Sequence, residues 1–221
     1  MDIIPPQSPR LEQAPPTSPE PTHTPSSPPP KSKNGLRPVF STIGLFLSAF
    51  IIAILLNTFV IQSYQVDGES MQNTLHNNDR LIVDKIPRTW SRITGHQYVP
   101  KRGQIIIFNQ SNLPGFVGEK QLVKRVIGLP GERVVVNDGH ITIYNAQHPK
   151  GFNPDTSGLY HIDATTTPGN VDVTLKSDQL FVCGDNRTNS EDSRYFGPIE
   201  TNQVIAKLIL RILPLDKAKG F

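Results

Sequence analysis

The chain of 221 residues contains a single cysteine, Cys183, so no intrachain disulfide can form. A zinc site built from paired cysteines is excluded for the same reason. The six histidines show neither the H-E-x-x-H spacing of zinc peptidases nor the surroundings of a Ser/His/Asp triad. We therefore expect no metal, no cofactor and no catalytic histidine, and we interpret the histidines as surface or loop residues.

The chain also lacks a block of positive charge. Its net charge of +3 comes from 22 basic and 19 acidic residues that are spread along the sequence. A basic run able to follow a phosphate backbone is absent, so nucleic acid is not an expected partner.

Large apolar side chains are scarce in the first 38 residues, where proline, serine and threonine dominate. Of the 21 prolines, 11 lie within residues 1–30. This composition cannot bury enough apolar surface to offset the entropy of ordering, so we predict a disordered tail over residues 1–38. A recurrent P-x-S-P pattern is compatible with polyproline II turns, with phosphorylation or with a solvated spacer, and the tail's partner stays open.

Formal charge is missing from the 29 residues between Arg37 and Asp67. Apolar residues dominate positions 39–61, which as a helix would be about 35 Å long, enough to cross a hydrocarbon core of about 30 Å. The run is too long, and begins too far from the N-terminus, for a cleavable signal peptide. We therefore predict one transmembrane helix over residues 39–61.

The charges that flank this run predict its orientation. Basic residues precede it within residues 31–37, whereas the far side opens with Asp67 and Glu69 and has no basic residue until Arg80. Because positive flanks stay inside, we predict a cytoplasmic tail and an extracytoplasmic domain over residues 62–221. Whether the membrane is the plasma membrane or a thylakoid stays open.

Residues 62–221 carry mostly strand signals. Short β-branched or aromatic runs bounded by Gly, Pro, Asn or Asp occupy residues 81–83, 104–108, 121–123 and 179–183. Asp138-Gly139 between alternating apolar residues predicts a hairpin over residues 134–143. Residues 145–175 are typical of a loop-rich insertion or a small extra hairpin. We therefore predict a mainly β domain.

Ser70 and Lys124 are the first candidates for chemistry. A serine hydroxyl needs a proton acceptor, and lysine can serve only as the neutral amine. An exposed lysine with a pKa near 10.4 is neutral less than roughly one time in a thousand at pH 7, whereas burial lowers that pKa. Apolar residues flank Lys124 on both sides. On spacing alone, a strand lysine that extends to solvent is the more common outcome.

Four segments favour a catalytic lysine over a solvent-exposed one, because they match, in order, the motifs of one protease family. They are residues 68–75 (GESMQNTL), 102–108 (RGQIIIF), 124–132 (KRVIGLPGE) and 184–197 (GDNRTNSEDSRYFG). Together with the preceding apolar run they resemble the bacterial type I signal peptidases, in their Gram-positive-like and cyanobacterial branch, over about residues 40–212. The resemblance implies the family's β-fold, a lipid bilayer as surroundings, and signal peptides emerging from the export machinery as substrates, cut after Ala-x-Ala.

The resemblance also implies roles for individual residues. Ser70 would be the acylated nucleophile and Lys124 the general base. Ser190 matches the hydroxyl that hydrogen-bonds the lysine amine and orients it. Charged residues of the late motif would support the loop that carries Ser190; these are Asp185, Asp192 and Arg194.

Two positions depart from the family's pattern. Asn73 stands where proline is expected, which restores a backbone donor and predicts a looser turn. Gly68 stands where some members have a serine that helps to bind the oxyanion. The backbone N–H of Ser70 is then the main expected oxyanion donor, and Gly68 lets the substrate backbone approach closely.

We predict that Val66, Leu122 and Val123 line shallow apolar pockets, with the substrate adding as a strand beside residues 121–123. Met71 is open to two interpretations, because it would either contact substrate near the outer leaflet or pack in the core.

Two other functions compete with a signal peptidase. One is a catalytically silent, membrane-tethered interaction protein, against which the intact Ser70, Lys124 and Ser190 argue. The other is a self-cleaving Ser/Lys protease of the repressor type, against which the apolar anchor and the lack of a helix-turn-helix pattern argue.

Overall fold

A computed structural model describes residues 37–221 except 73, 112 and 114–116, and of residues 37–41 and 56–59 it describes the backbone alone. The predictions for the tail lie outside the described residues, apart from residues 37–38, which begin the first helix. The predicted loosening of the turn at Asn73 lies outside them too.

Three α-helices, three short 3-10 helices and eleven strands make up the described chain. The helices are α1 (Arg37–Phe59), α2 (Ile86–Thr94) and α3 (Ser193–Phe196). The strands are β1 (Ile61–Gln65), β2 (Arg80–Asp84), β3 (Ile105–Ser111), β4 (Glu119–Gly128), β5 (Arg133–Asn137), β6 (His140–Tyr144), β7 (Val171–Thr174), β8 (Gln179–Cys183), β9 (Ile199–Glu200), β10 (Val204–Leu213) and β11 (Lys219–Gly220). The prediction of a mainly β fold is confirmed.

The chain divides into two compact units, Met1–Gly44 and Leu45–Phe221. The described part of the first unit is the beginning of α1, and the second unit contains every strand. Within the described residues no helix is both long and apolar enough to cross a membrane. The transmembrane helix over residues 39–61 therefore stays a prediction.

The larger sheet runs in the order β1-β2-β10-β3-β4-β8-β9, with β11 beside β10, and its strand pairs are antiparallel. Its central strand β3 is apolar at successive positions because both faces of the sheet are covered. Ile105 and Ile107 belong to one buried cluster, whereas Ile106 and Phe108 belong to another on the opposite face.

The smaller sheet has the order β6-β5-β7. Its β5–β6 hairpin confirms the prediction from Asp138-Gly139, which take φ angles of 50° and 77° in the turn. Alternating residues such as Val134 and Ile143 are buried and pack with Phe181 of the larger sheet. Residues 145–175 are mostly loop, as expected, but they end in β7 and in the buried side chain of Leu175.

One edge of β4 is only partly covered. On one side β3 pairs with β4 from Glu119 to Arg125, while on the other β8 pairs with it from Arg125 onward. Residues 119–124 therefore have no strand partner on that second side among the described residues. This open edge ends at Lys124.

Candidate active site

Ser70 and Lys124 lie at hydrogen-bonding distance, although 53 residues separate them in the sequence. Lys124 Nζ is 2.6 Å from Ser70 Oγ. Lys124 lies on β4, opposite the buried Ile106 of β3, and Ser70 lies in the loop between β1 and β2. The lysine is only 3 % exposed, so it does not extend to solvent.

Burial has a direct effect on the amine. It lowers the pKa of Lys124 from 10.5 to about 8, and the nearby Asp192, Cys183 and Glu191 act in the opposite direction without restoring the ordinary value. With a pKa of about 8, roughly one lysine in ten is neutral at pH 7. A fraction of the molecules thus has a neutral Lys124 amine, the form able to accept a proton, at pH 7.

A short turn presents Ser70. The backbone N–H of Gln72 donates to the carbonyl of Glu69 at 3.1 Å, and that of Leu75 donates to the carbonyl of Met71 at 2.8 Å. Met71 and Leu75 are both fully buried and anchor the turn in the core. Of the two interpretations of Met71, the structure shows core packing, because its side chain is buried in the same apolar cluster as Leu75 and Leu81.

The late motif packs directly against the turn that carries Ser70. The backbone N–H of Asn186 donates to the Ser70 carbonyl at 3.1 Å, and its side-chain amide donates to the Glu69 carbonyl at 3.2 Å. A Cβ atom on Gly184 would lie 2.3 Å from the Ser70 carbonyl oxygen and 2.2 Å from Ser190 Oγ. Only glycine fits at position 184, because the loop carrying Ser70 occupies that space.

Ser190 is close to the nucleophile but is not bonded to the amine. Its hydroxyl is buried and has no hydrogen-bond partner among the described residues. The predicted hydrogen bond between Ser190 and Lys124 is absent from this structure, in which the amine contacts Ser70 Oγ. The role of Ser190 in orienting the amine stays a prediction.

Asp192 and Arg194 form the buried support of this loop. Arg194 donates to the two carboxylate oxygens of Asp192 through Nε and Nη2, each at 2.8 Å. Asp192 also accepts the backbone N–H of Gly184 at 2.9 Å, and Arg194 Nη1 donates to the Arg187 carbonyl at 2.7 Å. The pair holds both ends of the loop that places Ser190.

Asp185 has a different partner, which lies next to the lysine in the sequence. Arg125 donates to both carboxylate oxygens of Asp185, at 2.7 and 2.5 Å, and both side chains are buried. The guanidinium also lies over the ring of Tyr160, 4.7 Å from its centroid. This pair ties the late motif to β4, and Arg125 points away from the amine of Lys124 as strand alternation requires.

Sequence reasoning missed a third buried ion pair, which lies behind the site. Arg187 donates to both carboxylate oxygens of Asp155 and, at 2.7 Å, to Thr167 Oγ1. Asp155 also accepts the hydroxyl of Tyr160 at 2.6 Å. Arg187 lies inside the late motif, but nothing in the sequence marked Asp155 as its partner.

A groove of about 340 Å³ lies beside Ser70 and Lys124. Its walls come from the segment after β1 and from the open edge of β4, and they include Ser70, Lys124 and the predicted Val66, Leu122 and Val123. Met71 is not among its lining residues. The three residues predicted for the pockets thus lie at the groove, and their contact with substrate stays a prediction.

The backbone around Gly68 bears on the oxyanion hole. Gly68 has a φ of +107°, and its N–H donates to Asn77 Oδ1 at 3.1 Å, so this donor is already used. The Ser70 N–H makes no hydrogen bond within the described part of the chain. Among these same residues, no three His, Cys, Asp or Glu side chains lie close enough to hold a metal ion.

Known proteins are similar to this chain. The sequence model of the signal peptidases, peptidase S26, matches residues 39–213. The chain belongs to this family. Signal peptidase I of Leptolyngbya laminosa is 32% identical over 207 residues, which are 91% of this chain and 92% of that relative. Signal peptidase I P of Bacillus subtilis subsp. natto is 31% identical over 194 residues, 86% of this chain and 97% of the relative.

The crystal structure of a signal peptidase I from Enterococcus faecalis V583 is also similar. It is 28% identical, with a TM-score of 0.36, and the match covers 49% of this chain and 96% of that one. The predictions of a signal peptidase, and hence of a hydrolase, are confirmed by membership of the family.

Proposed function

We propose that the chain is a membrane-anchored endopeptidase in which Ser70 attacks the peptide bond at the end of a signal peptide and Lys124 is the base. The observation that carries this proposal is the 2.6 Å separation of Lys124 Nζ and Ser70 Oγ, with the lysine buried and its pKa lowered to about 8. A structural lysine would not need a serine hydroxyl as its neighbour in an open groove.

In the first step the neutral amine of Lys124 accepts the hydrogen bond and then the proton of the Ser70 hydroxyl, as Oγ attacks the scissile carbonyl carbon. The Ser70 N–H is directed at the developing oxyanion. The Lys124 ammonium then returns its proton to the departing amine, which leaves an acyl-enzyme on Ser70. In the second step Lys124 accepts a proton from water, the hydroxide attacks the ester, and the proton passes back to Ser70.

Substrate would bind in extended form along the open edge of β4. Residues 119–124 offer backbone groups to a further strand, which would bring its carbonyl to Ser70. Val66, Leu122 and Val123 line the groove with apolar surface of limited depth, which suits small side chains at the first and third positions before the cut. Signal peptides ending in Ala-x-Ala have that property.

The membrane arrangement is part of the proposal. The uncharged run over residues 39–61 would anchor the chain, and the basic residues before it would keep the N-terminus in the cytoplasm. The catalytic domain would then meet signal peptides on the extracytoplasmic side, where the export machinery releases them.

The test compares cleavage of a preprotein ending its signal peptide in Ala-x-Ala by the full chain and by Ser70→Ala and Lys124→Ala. We expect each substitution to lower kcat by about 10³-fold or more, because each removes a group that acts in the same step. Lys176→Ala, which removes an exposed lysine, is the matched control and should cut like the wild type.

Three results would contradict the proposal. If the wild type leaves the preprotein uncut, the silent interaction protein becomes the better interpretation, and if it cuts only itself, the repressor-type protease does. Cleavage that survives either Ser70→Ala or Lys124→Ala would remove the dyad from the mechanism.

A further inference from the structure

Helix α2 is oriented with its apolar side chains outward. Ile86, Trp90 and Ile93 follow a spacing of four and three residues, so they share one face of the helix. They are 49 %, 65 % and 74 % exposed, and no residue of the helix is buried. We call these three side chains the α2 apolar face.

Several polar residues of the same helix face the protein, whereas Arg92 is exposed. Arg88, Ser91 and Thr94 are half-buried, although each would be well solvated on the outside. The hydrophobic effect favours the opposite arrangement for a helix that lies in water. The exposed face of α2 therefore suits surroundings that are less polar than water.

The position of α2 indicates what those surroundings are. The backbone N–H of Lys85 donates to the carbonyl of Val60 at 2.9 Å, and Asp84 pairs with Ile61 in the β1–β2 ladder. The helix therefore starts beside the residues at which the uncharged run over residues 39–61 ends. If that run spans a bilayer, α2 begins at the level where the chain leaves it.

The charges of α2 agree with this position. Its helical residues include Arg88 and Arg92 and no acidic residue, and Lys85 precedes them. Basic side chains beside an apolar face with a tryptophan are typical of helices that lie in the interface of a membrane with anionic lipids. A second copy of the chain is a poorer fit, because three side chains cannot supply the roughly 800 Å² per partner of a stable protein interface.

We propose that α2 lies in the membrane–water interface, with Ile86, Trp90 and Ile93 inserted among the lipids and the exposed Arg92 at anionic headgroups. This inference rests on the membrane anchor of the proposed function. The helix would be a second contact with the bilayer, and together with the anchor it would fix the height and tilt of the catalytic domain above the substrate.

Trp90 is the only tryptophan of the chain, so the wild-type protein carries its own probe. The full chain is placed in lipid nanodiscs of phosphatidylcholine and phosphatidylglycerol, with and without phosphatidylcholine brominated on its acyl chains. We expect brominated lipid to quench about half or more of the Trp90 emission, because an interfacial helix buries its apolar face roughly 5–10 Å deep.

Variants test whether α2 itself makes the contact. Replacing both Ile86 and Ile93 by serine should reduce the quenching of Trp90, whereas Leu159→Ser removes an exposed apolar side chain elsewhere and should not. The double variant should also cleave a membrane-embedded preprotein several-fold more slowly than wild type while cleaving a short soluble peptide at the same rate.

The outcomes separate this inference from the proposed function. If the protein in nanodiscs cleaves preprotein while brominated lipid leaves Trp90 unquenched, the membrane contact of α2 is wrong and the proposed function stands. Unquenched emission that is also shielded from aqueous acrylamide would mean that a protein surface, including a second copy, covers the helix. A chain that fails to enter the discs would overturn the anchor and the role of α2 together.

Discussion

Replacing Lys124 by methionine should make the protein more stable at neutral pH while abolishing catalysis. Methionine has a similar length and no charge, so it fills the space of the lysine without the cost of a buried ammonium. The wild-type pKa of about 8, against an ordinary 10.5, corresponds to about 3 kcal/mol of differential interaction in the folded state. Loss of the hydrogen bond to Ser70 Oγ offsets about 1 kcal/mol of this gain.

The stability difference should depend on pH in a defined window. Below about pH 8 the lysine is charged in both the folded and the unfolded state, so the wild type carries the full cost of burial. Between about pH 8 and 10.5 the unfolded chain binds the proton more tightly than the folded one, so wild-type stability rises with pH relative to the variant. Above that window the amine is neutral in both states and the cost disappears.

Urea unfolding of both proteins in detergent, followed by circular dichroism, measures the free energy of unfolding at pH 7 and at pH 10.5. We expect Lys124→Met to be more stable than wild type by roughly 2 kcal/mol at pH 7, with the difference closing as the pH rises. Lys176→Met, at an exposed position, should match the wild type at every pH. A variant that is less stable than wild type at pH 7, or a difference that does not change with pH, would refute the argument that burial lowers the pKa.

Three further predictions concern the pH dependence of activity, Gly184 and Asp155. The kcat/KM for preprotein should rise with pH and reach half of its maximum near pH 8, the pKa of Lys124. A half-maximum near pH 6.5 would indicate a histidine base instead. Activity of Lys124→Arg would also contradict an amine base. Gly184→Ala should lower the free energy of unfolding by about 1–3 kcal/mol and remove most of the activity, because the alanine Cβ would clash with the Ser70 carbonyl oxygen. Activity at the wild-type level would show that the close packing of residue 184 against Ser70 is not needed. Asp155→Asn leaves the buried Arg187 guanidinium without its charge partner and should lower the free energy of unfolding by about 3–5 kcal/mol. The control Asp172→Asn, in an exposed pair with Arg133, should change it little. Equal effects of the two substitutions would refute the idea that burial makes the Asp155–Arg187 pair more important.

The parts of the fold that could be predicted from the sequence are those with local signals. β2, β3, β4 and β8 coincide with the short β-branched runs, and the hairpin between β5 and β6 follows from the positive φ angles that Asp138-Gly139 accept. These signals depend on a few neighbouring residues, so no knowledge of tertiary contacts was needed.

The elements that were missed depend on contacts distant in sequence. β10 contains Lys207 and Arg211, which interrupt its apolar pattern. Lys207 pairs with Asp84, and Arg211 pairs with Asp79. β1 directly follows the apolar run, so its strand signal merges with that of the preceding helix. In each case the partner that stabilises the strand lies elsewhere in the chain.

The candidate site shows the same division between residue identity and arrangement. Ser70 and Lys124 could be named from motifs, but the pairing of Asp185 with Arg125 rather than with Arg194 could not, because bidentate geometry depends on how β4 and the late loop meet. Two separate ion pairs therefore stabilise the surroundings of Lys124. Asp192–Arg194 lies within the loop that carries Ser190, and Asp185–Arg125 connects that loop to β4. Since Arg125 directly follows Lys124, a change at Asp185 should disturb the position of the amine, whereas a change at Asp192 should first disturb Gly184 and the backbone beside Ser70.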